Sequence, residues 1–135
     1  MFIGSGLGPF SGQAVHFQHA APAGLDYALN RYRREAHRHY QVLNEHMAGR
    51  EFIVGNEYTI ADKLAWGWID RANRVFKGED NPLAAYPALK RWFAQVDERP
   101  AVGRARAINK THEFKTGNDK TKGALFPSNF PEPAR

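Results

Sequence analysis

The sequence predicts an all-α protein, and three features of the chain carry that prediction. The longest helical pattern spans residues 24–49, where apolar side chains recur at steps of three and four. A second helix begins with a capping pattern at Thr59 and Asp62 and continues into an apolar run. No segment shows the alternation of apolar and polar residues that is typical of half-buried strands. With 135 residues, the chain suits one domain with a core of its own.

The first part of the predicted bundle contains one interrupted stretch and one long helix. Residues 1–10 contain three glycines and a proline, which argue for a helix end or a kink. Residues 11–21 predict a short helix, which Pro22 ends because the residue before a proline avoids helical geometry. The long helix follows over residues 24–49, and Gly49 fits its C-terminal cap.

The second part of the bundle is organised around the capped helix. The Thr59 hydroxyl can accept a hydrogen bond from an N–H in the first turn, and the Asp62 carboxylate can reach back to the Thr59 N–H. The helix is predicted over residues 60–77, with Gly78 as its end. Because it is apolar on more than one side, it is predicted to be the buried centre of the domain.

Two prolines predict the starts of the remaining helices. Pro87 and Pro100 each suit the first position of a helix, where the missing N–H has no partner to lose. The second of these helices is predicted to run to Ile108. Residues 110–135 lose the helical pattern and predict an extended polar tail, with a disordered tail as the alternative.

Composition and charge exclude several classes of function. The chain has no cysteine, which removes disulfides, thiolate nucleophiles and cysteine metal sites. No apolar run approaches the ~20 residues of a membrane-spanning helix, and no signal-peptide pattern is present, so we expect a cytoplasmic protein without membrane contact. The net charge is +5, but basic and acidic residues are interleaved, which favours a solvated surface over the alternative of nucleic-acid binding.

The six histidines raise the question of a metal site. His16 and His19, and likewise Glu35 and His39, are spaced to share a helix face. The sequence has no HExxH motif and no third ligand at a suitable spacing, so we predict no metal site. It also lacks a GxSxG motif and a phosphate-binding glycine loop, and no catalytic residue is assigned.

The capping segment resembles one protein family. Residues 55–62, Gly-Asn-Glu-Tyr-Thr-Ile-Ala-Asp, are similar to the box that starts the central helix in the C-terminal domain of cytosolic glutathione transferases. Further segments resemble the bacterial members called nu-class, which include glutathione-dependent disulfide-bond reductases. These segments are residues 6–10, 16–17, 25–32, 98–102, 104 and 108–111. The resemblance therefore extends from residue 1 to about residue 111.

The resemblance implies an organisation and a function. It implies a glutathione transferase C-terminal helical domain over residues 1–109, a tail over residues 110–135, and the absence of the family's N-terminal thioredoxin-like domain. It implies glutathione as the cofactor, used for conjugation or for disulfide reduction, with a small hydrophobic electrophile or a disulfide as acceptor. Because most of the family's glutathione site lies in the absent domain, we expect little or no turnover from this chain alone.

The same resemblance implies protein partners and leaves a second function open. The expected partners are the missing domain or a second copy of the chain in a homodimer. The alternative is a non-enzymatic dimerisation or interaction module, since one fold can carry several functions.

The resemblance also implies site residues. In the family, an arginine in the Asn-Arg-aromatic context of Arg31 contacts glutathione, and a guanidinium pairs well with a carboxylate. Ser5 stands where relatives place a glutamine that contacts a second glutathione, and serine is shorter. Phe10, His16 and Phe17 are candidates for the acceptor-substrate pocket. For the two phenylalanines the alternative is packing in the core.

Overall fold

A computed structural model describes residues 1–111 of the chain. A π-helical turn over Ile3–Leu7 runs directly into α1 (Gly8–His19), which is followed by α2 (Asp26–Met47), α3 (Ile60–Ile69), α4 (Ala72–Val75), α5 (Pro87–Asp97) and α6 (Pro100–Thr111). Among these residues there is no strand beyond two isolated bridges in the turn before α3. The all-α prediction is confirmed. The helix α6 extends beyond the predicted end at Ile108, so residues 110 and 111 of the predicted tail are helical. The rest of the predicted tail, from residue 112 onward, lies outside the described residues.

The glycine-rich start is helical, in place of the predicted helix end or kink. The proline of this segment is at the start of α1, directly after the π-helical turn. Two glycines allow close packing: a Cβ added at Gly6 would overlap His39 Nε2, and one at Gly8 would lie 2.8 Å from the Trp68 indole. The glycines therefore serve helix packing here.

The predicted helix over residues 60–77 is divided into α3 and α4. The N–H of Asp70 still bonds to the Trp66 and Trp68 carbonyls, and the chain then turns at Arg71. The Asp70 carboxylate forms an ion pair with Arg106 of α6. This contact at the corner joins residues 36 positions apart, and a local pattern could not predict it.

The core lies between α2 and the helices that pack on it. The largest fully buried side chains are Trp92, Tyr40, Phe76, Leu7 and Met47. The described part of the chain contains no helix that is long and apolar enough to span a membrane.

The helix α3, which was predicted to be the buried centre of the domain, is buried on one face only. Ala65 and Ile69 are buried against the core, whereas Ile60 and Leu64 are 81% and 49% exposed. Within the described residues, the side of α3 that carries Ile60 and Leu64 is therefore uncovered.

The Asp62 carboxylate joins three segments of the fold. Its Oδ2 accepts the Thr59 N–H at 2.9 Å, and Thr59 Oγ1 accepts the Ala61 N–H at 3.2 Å, so a capping box is present. Its Oδ1 accepts the Ile53 N–H at 3.0 Å and the Trp92 indole N–H at 2.9 Å. The cap therefore also fixes the turn before α3 and the helix α5.

Candidate functional site

The candidate ligand residue Arg31 lies on α2, and its side chain is half exposed. Its Nη1 donates to Glu35 Oε1 at 2.9 Å, and the other oxygen of Glu35 accepts from Arg38 Nε at 2.9 Å. The hydrogen bond from Arg38, with a smaller one from Arg31, holds the pKa of Glu35 below its usual value. Glu35 thus stays ionised at neutral pH and orients Arg31 while occupying one of its donors.

Arg31 lines an open groove of about 450 Å³ together with Tyr27, Asn30, Arg34 and Glu35. The guanidinium of Arg34 makes no ion pair with any side chain of the described residues. An Arg fork binds a carboxylate through two parallel N–H donors. The groove therefore offers one complete guanidinium and part of a second to an anionic ligand.

The predicted pocket residues Phe10, His16 and Phe17 come together in an aromatic strip along α1 and α2. Phe17 stacks on Tyr32, with the ring centroids 5.2 Å apart and the planes 10° from parallel. The Phe10 ring lies 6.2 Å from Tyr32 and 4.9 Å from His39. His16 packs edge-on against Phe17 at 5.2 Å. All three predicted residues are partly buried, so the strip combines packing with an accessible edge.

Two members of the strip were not predicted as site residues. Tyr32 and His39 are seven residues apart, a spacing that places both on one helix face, and this was the available signal. His39 is buried, its Nδ1 bonds to the Glu35 carbonyl at 2.7 Å, and its ring stacks on Phe2. The Glu35 carboxylate, which shares a helix face with His39, is engaged by two arginines.

Ser5 lies apart from Arg31, in the π-helical turn. It is exposed, and its hydroxyl donates to the Met1 carbonyl at 2.8 Å. Ser5 is not among the residues that line the groove at Arg31, and no hydrogen bond in the described part of the chain joins the two. Within the same residues, no group of three or more metal-ligating side chains could hold an ion.

A separate apolar groove of about 480 Å³ lies between the N-terminal turn, the end of α2 and the turn before α3. Its lining residues are Met1, Phe2, Ile3, Val42, Leu43, His46, Ile53, Val54 and Ala61. Val54 is 58% exposed, and the highly exposed Ile60 directly precedes Ala61. Apolar surface of this kind is typical of a binding or packing interface.

Residues 26–95 match the family described as "Glutathione S-transferase, C-terminal domain". The chain is 42% identical over 100 residues to the disulfide-bond oxidoreductase YfcG of Escherichia coli K12, a match that covers 74% of this chain and 45% of the relative. It is 40% identical over 116 residues to the disulfide-bond oxidoreductase YghU of the same organism, covering 82% of this chain and 37% of the relative. The chain thus spans less than half the length of these relatives.

The chain is also similar in structure to solved glutathione transferases. A glutathione transferase from Phanerochaete chrysosporium, URE2P6, in complex with oxidized glutathione, matches 82% of this chain and 50% of its own with a TM-score of 0.75 at 31% identity. A glutathione transferase family member from Pseudomonas fluorescens with two glutathione bound matches 77% of this chain and 47% of its own, with a TM-score of 0.68 at 38% identity.

Proposed function

Because the chain belongs to the glutathione S-transferase C-terminal domain family, we propose that it is the helical half of a glutathione-dependent enzyme and contacts glutathione through Arg31. The observation that carries this proposal is the open groove on α2, where Arg31 keeps free N–H donors beside Arg34, which has no acidic partner among the described residues. Glutathione has two carboxylates, and either one suits a guanidinium fork. Solved relatives that hold glutathione support the proposal.

We further propose that the aromatic strip faces the acceptor, a small hydrophobic electrophile or a disulfide. Its partly buried rings, including Phe10 and Phe17, can stack on an apolar acceptor, and His16 at its end adds a polar edge. In disulfide reduction the attacking thiolate comes from glutathione, so a chain without cysteine remains compatible with that chemistry. The second glutathione contact at Ser5 and the cytoplasmic location stay predictions.

A glutathione titration of the purified chain, followed by amide NMR shifts, tests the Arg31 contact. We expect saturable shifts that cluster on α2 around Arg31. Replacing one charge-assisted contact by Arg31→Gln weakens binding about tenfold. Arg104→Gln removes an exposed arginine from α6 and is the matched control, with no expected effect. A folded spectrum without shifts, or equal binding by both variants, contradicts the proposal.

The interaction module is the second candidate function, and the uncovered apolar face favours it. The apolar groove and the exposed Ile60 offer packing surface for a thioredoxin-like domain of the kind that the family places before the helical one. Mixing the chain with such a domain from a relative should cover Val54 and Ile60 and so shift their amide NMR signals. Such shifts without any glutathione-induced shifts favour the module. Glutathione-induced shifts without an effect of the added domain favour a residual ligand site. A second copy of the chain is the other candidate occupant, and a sedimentation measurement distinguishes it.

A further inference from the structure

A third groove, of about 370 Å³, opens between α1, α3 and α4. Its lining residues are Gly12, Val15, Trp68, Arg71, Arg74 and Val75. None of these is among the residues assigned above to glutathione or to the acceptor. The groove combines an indole, small or apolar walls and two arginines. An indole suits an aromatic ring, and the arginines suit an anion.

The floor of this groove is the partly buried ring of Trp68. Gly8 packs against the indole, since a Cβ added there would lie 2.9 Å from Trp68 Nε1. One turn later the packing is looser, because a Cβ added at Gly12 would lie 3.8 Å from the ring, at ordinary van der Waals distance. Gly12 therefore leaves room for a methyl group beside the indole, whereas Gly8 packs directly against it.

The rim of the groove carries two guanidinium groups without acidic partners. Arg71 and Arg74 are exposed, and neither makes an ion pair or a side-chain hydrogen bond within residues 1–108. Arg106, by contrast, pairs with two aspartates. The backbone of the rim is fixed, because the Arg74 carbonyl accepts from Gln18 Nε2 at 3.2 Å and from His19 Nε2 at 2.9 Å.

This groove is separate from the site proposed for glutathione and its acceptor. Each residue of an α-helix is turned by ~100° from the last, so Gly12 and Val15 lie on the side of α1 opposite to Phe10 and Phe17. The aromatic strip faces α2, whereas this groove faces α3 and α4. The two sites can therefore be tested independently.

We propose that this groove binds a planar aromatic carboxylate. The ring of such a ligand stacks on Trp68 between the apolar walls, and its carboxylate pairs with the guanidinium groups of Arg71 and Arg74. Offset ring stacking and charge-assisted hydrogen bonds both favour this arrangement. A neutral ring of the same size loses the ion pairs, and a small carboxylate without a ring loses the stacking.

Binding of 2-naphthoate to the full chain, followed by amide NMR shifts, tests the proposal. We expect saturable shifts at Gly12, Trp68 and Arg71, with at least tenfold weaker binding of 2-naphthalenemethanol and of acetate. The double variant Arg71→Gln/Arg74→Gln should lose at least tenfold in affinity for 2-naphthoate. Arg104→Gln, an exposed arginine on α6, is the charge control and should bind like the unchanged chain.

A variant that adds a methyl group inside the groove distinguishes binding at this site from binding at other apolar surfaces. Gly12→Ala places a methyl group over the indole and should weaken 2-naphthoate binding severalfold, while the higher helix propensity of alanine keeps α1 folded. Gly67→Ala makes the same change on α3, where no atom lies within 4 Å of the added Cβ, and should leave binding unchanged. Three results would overturn the proposal. The first is equal binding of 2-naphthoate and 2-naphthalenemethanol, and the second is unchanged affinity in the double arginine variant. The third is a set of shifts confined to the apolar groove around Val54. None of these outcomes depends on whether glutathione binds at Arg31.

Discussion

Two tyrosines of the core differ in what their hydroxyl groups contact. Tyr86 OH lies 2.7 Å from His37 Nδ1, whereas Tyr40 OH is buried and has no hydrogen-bond partner in the described part of the chain. Removing a bonded hydroxyl usually costs about 1 kcal/mol, and removing an unsatisfied buried one costs nothing or stabilises. We therefore expect Tyr86→Phe to lower the free energy of unfolding by about 1 kcal/mol and Tyr40→Phe to leave it equal or higher, as measured by urea denaturation at pH 7.

Both of these variants should lose less stability at alkaline pH than the unchanged chain. Burial raises the pKa of both phenols above the usual value of 10.0, and the charge of Glu79 adds to the effect at Tyr86. The folded chain therefore holds these protons more tightly than the unfolded chain, and the stability that is fully present below pH 10 falls as the pH rises further. Each Tyr→Phe variant should lose less stability between pH 9 and pH 11 than the unchanged chain. An identical loss in all three chains would contradict the burial argument.

At the scale of the helices, the contact between the π-helical turn and α2 depends on Gly6. A methyl group there would meet His39, whose ring is fixed by the Glu35 carbonyl and by stacking against Phe2 and Phe10. We expect Gly6→Ala to lower the free energy of unfolding by about 1–3 kcal/mol, the usual cost of overpacking. Gly4→Ala is the control in the same turn, because no atom lies within 4 Å of its added Cβ. Urea denaturation measures both, and equal stability of the two variants would show that His39 moves aside freely.

The sequence predicted those elements whose signals are local. The capping residues, the glycine after α2 and the prolines that start α5 and α6 act within a few positions of themselves, and each lies where it was expected. The break between α3 and α4 lies at Asp70, which pairs with the distant Arg106, and the helical start packs through glycines that fit against His39 and Trp68. Such contacts exist only after the helices have packed, so no local pattern reports them.

The candidate site shows the same division. Part of the aromatic strip was predicted, because the resemblance implied Phe10, His16 and Phe17. Tyr32 and His39 were not predicted, since their place in the strip depends on the packing of α2 on α1. The apolar groove was not predicted, since its walls come from three separate segments. A binding surface built from distant segments is a property of the assembled fold.

For the whole molecule, the question is whether the core is complete without a partner on the exposed face of α3. Two isoleucines of α3 allow a matched comparison: Ile69 is 1% exposed in the core, whereas Ile60 is 81% exposed on the uncovered face. Ile69→Ala should lower the free energy of unfolding by about 2–4 kcal/mol, and Ile60→Gln should change it by no more than about 0.5 kcal/mol.

Urea denaturation of the two isoleucine variants at several protein concentrations then decides what the uncovered face does. If the core is complete, Ile60→Gln keeps the stability of the unchanged chain at every concentration, and the face is free for a partner. A large loss in Ile60→Gln that grows with concentration would mean that a second copy covers the face in solution, because association stabilises the folded state by mass action. A large loss that is independent of concentration would mean that the chain itself covers Ile60, and the proposal of a free docking face would then be wrong.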